Sequence, residues 1–284
     1  MKKVPIGILD GGYEGINIFS NLCKMYPNES YIYINDVKNY PYEGKSTEDI
    51  LSFVKKSVET LLSYEVGSII CVSASIHEYC SEYLSTLEVK YVSIVDSIID
   101  YVNTNFDQKN MILLGKGYIL KANMFQKNFR YNHLYNIPSD VLEKIIFEKK
   151  TKTAFSFQKV RETFHTIINK PIDLLIIIDS FLNNLNLEIK EYINAGTTLS
   201  LETILMDGLL DLGLETYTSG KGKKIILSHI TKKEFKENAY WLVTKYKYVD
   251  LDADENKLNK KNLFAKIKKS RESQDENFDN KDDK

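Results

Sequence analysis

Three polar residues stand at the ends of apolar runs, where chemistry in an open sheet is usually sited. Asp10 follows Val4–Leu9, Cys71 lies at the end of Ser68–Val72, and Asp179 follows Leu174–Ile178. A carboxylate can accept a proton, and a thiol can do the same once it is ionised. Asp10 opens the turn Asp10-Gly11-Gly12-Tyr13-Glu14-Gly15, whose glycines let backbone amides approach an anion. The spacing matches neither the dinucleotide fingerprint nor the phosphate loop. Capping the next helix is an equally good role for Asp10. Cys71-Val72-Ser73-Ala74-Ser75 sets a thiol beside hydroxyls at a helix start, a setting that lowers a thiol pKa. The ordinary role of an isolated cysteine is a small buried hydrophobe.

SIICVSAS (68–75) and LIIIDSFL (175–182) echo each other: an apolar run, a polar end, then serine. Facing each other across a cleft, they would set Cys71 and Asp179 on opposite sides of one small ligand. After the apolar run Ser30–Asn35 lies Tyr40-Pro41-Tyr42-Glu43-Gly44-Lys45-Ser46, a loop bracketed by Pro and Gly. Tyr42 and Lys45 are its candidates for an anionic ligand. Cys23 and Cys80 are assigned to packing. His77 is close in sequence to Cys71 but on a helix that need not face it, and His133, His165 and His229 have no evident partners.

The elements that must hold these residues are strands alternating with helices. Strands are expected at Val4–Leu9, Ser30–Asn35, Ser68–Val72, Val89–Val95, Met111–Leu114 and Leu174–Ile178. Helical periodicity fits Gly15–Met25, Thr47–Ser63, Ser75–Leu84, Asp96–Val102, Tyr118–Gln126, Ser139–Phe147, Phe155–Ile168, Leu199–Leu210 and Lys232–Thr244. The class is α/β with a mostly parallel sheet.

The 284 residues, 43% hydrophobic and 27% charged, suffice for a sizeable core. Lys and Arg total 38 against 39 Asp and Glu, so bulk charge does not favour nucleic acid. Three cysteines without a CxxC pair fit neither a disulfide framework nor zinc. No run approaches the ~18 apolar residues of a membrane helix, and no signal-peptide core is evident, so a cytoplasmic location is expected. From residue 250 to 284 charge dominates, and this tail is expected to be disordered. Leu258, Leu263, Phe264 and Ile267 within it suit a short helix on a protein partner.

The blocks IGILDGGYEGINIF, PNESYIYINDVKNYPYEGKS, SIICVSAS, LLGKGYILKANMFQ, DLLIIIDSF and YINAGTT together resemble the aspartate/glutamate racemase family, glutamate racemase in particular. The resemblance implies two pseudo-symmetric parallel-sheet α/β domains with the active-site cleft between them. Residues 1–96 with 210–249 would form the first, and 97–209 the second. It implies a small amino acid or dicarboxylate as ligand, no cofactor, a chain compatible with a homodimer, and a link to peptidoglycan synthesis. The family moves the Cα proton between two thiols. The first falls on Cys71 and the second on Asp179. Asp10 is kept, while the family's next serine falls on Gly11. Pro-Tyr-Gly falls on Pro41-Tyr42-Glu43, placing a carboxylate that disfavours an acidic ligand. Cys-Asn-Thr falls on Cys71-Val72-Ser73, and Cys-Thr-His on Asp179-Ser180-Phe181. Cys71, Asp179 and Asp10 are thus the candidates for proton transfer. Gly11, Tyr42, Glu43, Ser73 and Ser180 are the candidates for holding the ligand. Two outcomes stay open: a cofactor-independent isomerase, and a catalytically silent homologue that binds or regulates. The family's altered positions fall mainly on the site.

Overall fold

A computed structural model describes residues 3–254. The chain opens with β1 (Ile6–Asp10), α1 (Ile16–Met25), β2 (Tyr31–Asn35), α2 (Thr47–Ser63), β3 (Ser68–Cys71), α3 (Ala74–Ser85), β4 (Lys90–Ser93) and α4 (Ile94–Asn105). All five residues of β1 and all five of β2 are buried, which is why these strands read as continuous apolar runs. Hydroxyls mark the helix starts. Ser46 Oγ accepts from the Asp49 amide, Ser73 Oγ from Ile76 and Ser93 Oγ from Val95, so each satisfies an otherwise unpaired first-turn donor.

A second sheet follows, from β5 (Lys109–Gly115), α5 (Gly117–Ala122), β6 (Tyr131–Pro138), α6 (Asp140–Phe147), α7 (Ala154–Phe164), β7 (Ile172–Ile177), a 3-10 turn at Ser180–Leu185, α8 (Asn186–Tyr192), β8 (Ala195–Thr198) and α9 (Leu201–Asp211). The chain then returns to the first sheet through β9 (Lys224–Ser228), α10 (Lys232–Asn238) and β10 (Lys247–Asp250). The strand orders are β10-β9-β2-β1-β3-β4 and β6-β5-β7-β8, and every pairing is parallel.

The α/β class and the two parallel sheets agree with the expectation. Four strands carry no clear signal in the sequence. β6 (YNHLYNIP) is largely exposed and polar, and β8 (AGTT) and β10 (KYVD) are short. These three are edge strands, with a neighbour on one side only and little need for apolar side chains. β9 is interior, but its five residues begin in a lysine-rich segment. The helices expected to run to Gln126, Ile168 and Thr244 end earlier, at Ala122, Phe164 and Asn238.

The segment expected to be disordered from residue 250 begins ordered. Asp250 closes β10, and Asp252 Oδ1 lies 2.7 Å from His229 Nδ1 while its Oδ2 lies 2.9 Å from Lys38 Nζ. His229 therefore has a partner, contrary to expectation. Leu258, Leu263, Phe264 and Ile267 lie outside the described residues.

One apolar cluster fills the space between the sheets, joining Ile8, Phe19 and Val72 to Ile112, Phe181 and Leu205. A second lies under the first sheet against α2 and α3, with Leu9, Val54, Ile69, Cys71 and Cys80. No described helix is long and apolar enough to cross a membrane.

Candidate active site

The carboxyl ends of β1, β3, β5 and β7 converge, as ligand sites in parallel sheets do. Asp10 ends β1, and its carboxylate turns back on its own loop. It accepts from the Gly12 amide (3.1 Å), the Gly15 amide (2.8 Å) and the Tyr33 hydroxyl (2.6 Å). Gly15 precedes the first turn of α1, so Asp10 organises the entry to that helix. Burial and the nearby Glu14 push its pKa up to about 7 against the pull of those three donors.

Glu14 leaves the same loop and is 1% exposed. Its Oε1 accepts from Ser75 Oγ (2.8 Å), Lys116 Nζ (3.1 Å) and Tyr40 hydroxyl (3.2 Å). Its Oε2 accepts from Ser73 Oγ in a short hydrogen bond. Its backbone carbonyl accepts from both the amide and the hydroxyl of Ser180, each at 2.7 Å. Glu14 thus spans from the end of β3 to the segment after β7. Asn17 extends the seam: its amide donates to Ser180 Oγ, and its Nδ2 to the Ser180 carbonyl.

Lys116 follows β5 and is 4% exposed. Its ammonium sits 4.4 Å from the Tyr40 ring centre and 5.7 Å from that of Phe181. Burial opposes its charge, but Glu14, Asp179 and Glu143 outweigh burial and hold its pKa above the usual lysine value. Glu143, partly exposed, approaches it at 3.8 Å. Tyr118 completes the polar shell, with its hydroxyl 2.6 Å from Ser75 Oγ.

Asp179 is buried, and neither carboxylate oxygen has a hydrogen-bond partner. Burial raises its pKa to about 8, against the pull of Lys116 and with the push of Glu14, Glu143 and Asp10. A carboxyl tuned this way is mostly protonated at neutral pH and can exchange a proton.

Cys71 sits as the small buried hydrophobe that an isolated cysteine ordinarily is. Its thiol is fully buried and donates to the Ser73 carbonyl at 3.5 Å. Burial pushes its pKa up, and the neighbouring Asp10 and Glu14 add to the rise. The hydroxyls and helix start near it in sequence do not lower it, because the side chain lies in the apolar cluster with Leu9, Ile76 and Cys80. No cation is among the causes acting on it.

The other expected ligand groups divide. Ser73 and Ser180 join Asp10 and Asp179 around Glu14. Gly11 is nearby but closely covered: a Cβ there would lie 3.2 Å from Ser73 Oγ and from the rings of Tyr40 and Tyr42. Tyr42 is buried, and its hydroxyl donates to Asp36 Oδ2 (3.0 Å). Glu43 is exposed, and Lys45 Nζ donates to the Pro41 carbonyl. His77 turns to Ser93, 2.7 Å away. Among the described residues no group of three or more His, Cys, Asp or Glu is arranged to hold a metal ion.

The space at the convergence is closed. Val72 packs onto Gly15 so tightly that a Cβ at Gly15 would meet Val72 Cγ2 at 2.0 Å. Phe181 packs on Phe147, which also meets Tyr13 and Trp241. Trp241 Nε1 donates to Asn17 Oδ1, tying the segment after α10 to the same seam.

Sequence reasoning missed Glu14 and Lys116, the charged pair at the centre of the site. The available signal was position: both stand just past the carboxyl end of a strand, the same criterion that singled out Asp10 and Asp179.

Comparison with known proteins fits this geometry. Glutamate racemase from Lactobacillus acidophilus is 22% identical over 199 residues, covering 68% of this chain and 74% of that protein. Glutamate racemase from Clostridium botulinum is 29% identical over 152 residues, covering 51% and 57%. The crystal structure of a Bacillus anthracis glutamate racemase superposes with a TM-score of 0.75 at 20% identity, covering 88% of this chain and 99% of that one. The chain is similar to glutamate racemases in sequence and shares their fold. A Francisella tularensis glutamate racemase determined in complex with D-glutamate gives 0.72 at 19% identity, covering 87% and 97%. No family model matches the sequence. The aspartate/glutamate racemase fold accounts for the two parallel sheets and for convergence of their strand ends at one place.

Proposed function

We propose that this racemase homologue does not racemise acidic amino acids, and that its site is a filled one that serves binding or regulation. The observation that carries this reading is the buried Glu14–Lys116 pair, with Ser73 and Ser75 also spent on Glu14. A side-chain carboxylate there competes with any ligand carboxylate for the same donors. Asp10, Glu14 and Asp179 are buried carboxylates, and Lys116 is the only buried ammonium among the described residues. A dicarboxylate substrate would bring two more charges to a place whose buried ammonium is already paired with Glu14.

The acid/base inventory points the same way. Two-sided transfer at Cα needs two proton carriers on opposite faces, and one such group is worth ~10²–10⁴-fold in rate. The position that resembles the second family thiol holds Asp179. The first, Cys71, is a buried neutral thiol.

One observation favours a second reading, one-sided proton exchange by Asp179. Its carboxyl has no hydrogen-bond partner and a pKa raised to about 8. Such a group abstracts or returns a proton at near-neutral pH without help from Cys71.

The test is incubation of purified protein with L- and D-glutamate and L- and D-aspartate in heavy water, following the Cα proton by NMR. No exchange from any of them supports the filled-site reading. Exchange without inversion, abolished by Asp179→Asn and kept by Cys71→Ala, supports the second. Exchange with inversion overturns both. A cytoplasmic location is part of this proposal.

A further inference from the structure

The four donors around Glu14 come from separate parts of the fold. Tyr40 lies in the loop after β2, Ser73 and Ser75 at the start of α3, and Lys116 after β5. All four contribute a polar hydrogen to one carboxylate, three to Oε1 and one to Oε2. Ser73, Ser75 and Lys116 are at most 4% exposed. An ammonium and three hydroxyls aimed at one water-excluded point are what a carboxylate site consists of. Here the carboxylate comes from the chain itself.

We propose that Tyr40, Ser73, Ser75 and Lys116 form a seat for a small monocarboxylate, which the protein fills with its own Glu14. The proposal deepens the filled-site reading by naming the ligand class that the seat takes.

Glutamate cut back at Cβ loses a CH₂–COO⁻ fragment, which has the heavy atoms of acetate. Glu14→Ala would therefore leave an acetate-sized space lined by these four donors. Lys116 would be left buried with only Glu143 at 3.8 Å as a direct ion-pair partner. Acetate would restore the charge and hydrogen bonds without a covalent tether. Size and charge set the selectivity. Formate and acetate fit the vacated volume, whereas a second carboxylate would face Asp10 and Asp179, the acids next to the seat. In the wild-type chain the tether gives Glu14 a high effective concentration, so millimolar free acetate does not displace it.

The test is the melting temperature of full-length Glu14→Ala in sodium acetate against sodium chloride at equal ionic strength. Wild type and Glu14→Ala/Lys116→Met are run alongside. With a millimolar dissociation constant, 100 mM acetate should raise the melting temperature of Glu14→Ala by roughly 3–10 °C over chloride. Wild type and the double variant should not respond. Succinate should do less than acetate. Equal melting in acetate and chloride for Glu14→Ala overturns the proposal, and so does an equal acetate rise in all three proteins. Where Glu14→Ala does not fold in chloride, refolding from urea is the readout: recovery in acetate supports the seat, and no recovery in either salt overturns it. The heavy-water experiment fails separately. A wild-type chain that racemises glutamate refutes the filled-site reading whatever acetate does, and an acetate-blind Glu14→Ala refutes the seat even when no exchange occurs.

Discussion

Replacing Lys116 by Met removes a buried cation while nearly conserving the length of the side chain. Wild-type Lys116 pairs with Glu14 at 3.1 Å, and both are nearly without solvent exposure. Removing one partner of such a pair strands the other charge, at a cost of ~3–5 kcal/mol. The ammonium also lies 4.4 Å from the centre of the Tyr40 ring, a contact that Met keeps only as packing. At ~2–4 °C per kcal/mol for a chain of this size, the melting temperature should fall by roughly 6–20 °C at pH 8. The sign with pH follows from the stranded group. Without Lys116, Asp179 loses the charge that opposes its protonation and holds its proton more tightly, so the defect should shrink on acidification to pH 5. Pairing Lys116→Met with Glu14→Gln removes both charges and should recover most of the loss. Urea unfolding followed by circular dichroism at both pH values measures all three. A Lys116→Met protein within ~1 kcal/mol of wild type at pH 8 would refute the reasoning, as would a double variant no better than the single.

Other perturbations probe neighbouring parts of the site. Asp179 has its pKa raised from 3.8 to about 8, so its contribution to stability is full below pH ~4 and lost as pH rises through 8. Asp179→Asn should therefore raise the urea midpoint at pH 8, by up to ~5 kcal/mol at ~1.36 kcal/mol per tenfold change in proton affinity, and leave it unchanged at pH 4; a midpoint that falls at pH 8 would contradict this. Gly15→Ala drives a methyl into Val72, 2.0 Å from Cγ2, and should cost ~1–3 kcal/mol or more in the same assay; an unchanged midpoint would mean the two segments are not packed as described. All three cysteines are buried, and Cys71 is neutral and fully enclosed, so native protein at pH 8 should resist iodoacetamide until urea unfolds it. Rapid alkylation of Cys71, located by peptide mass mapping, would show an open, ionised thiol.

The strands that carry Asp10, Cys71 and Asp179 were legible in the sequence because each is buried on both faces and reads as an unbroken apolar run. Edge strands β6, β8 and β10 were not, because a strand with one neighbour and solvent beside it needs no such run. The convergence of β1, β3 and β7 was legible from the echo between SIICVSAS and LIIIDSFL together with the family resemblance. Which way each side chain turns was not. Cys71 and Val72 are consecutive in sequence and so point to opposite faces of the sheet, one to the cluster under it and one to the cluster between the sheets. Asp10 was left between a chemical role and a capping role; its carboxylate ties the turn before α1 to β2 through Gly12, Gly15 and Tyr33, while the N-cap of α1 is Gly15, without a side-chain cap. Glu14 and Lys116 are 102 residues apart, and nothing local marks either as the other's partner. Burial of that pair is a property of the folded chain, set by two sheets meeting edge to edge of their loops.

The most direct test of the central claim is a crystal structure of the full chain grown with millimolar D-glutamate. The expected result is Glu14 on Lys116, Ser73 and Ser75, with no amino acid between β3 and the segment after β7. Glutamate bound to those donors, with Glu14 swung away from them, would contradict it.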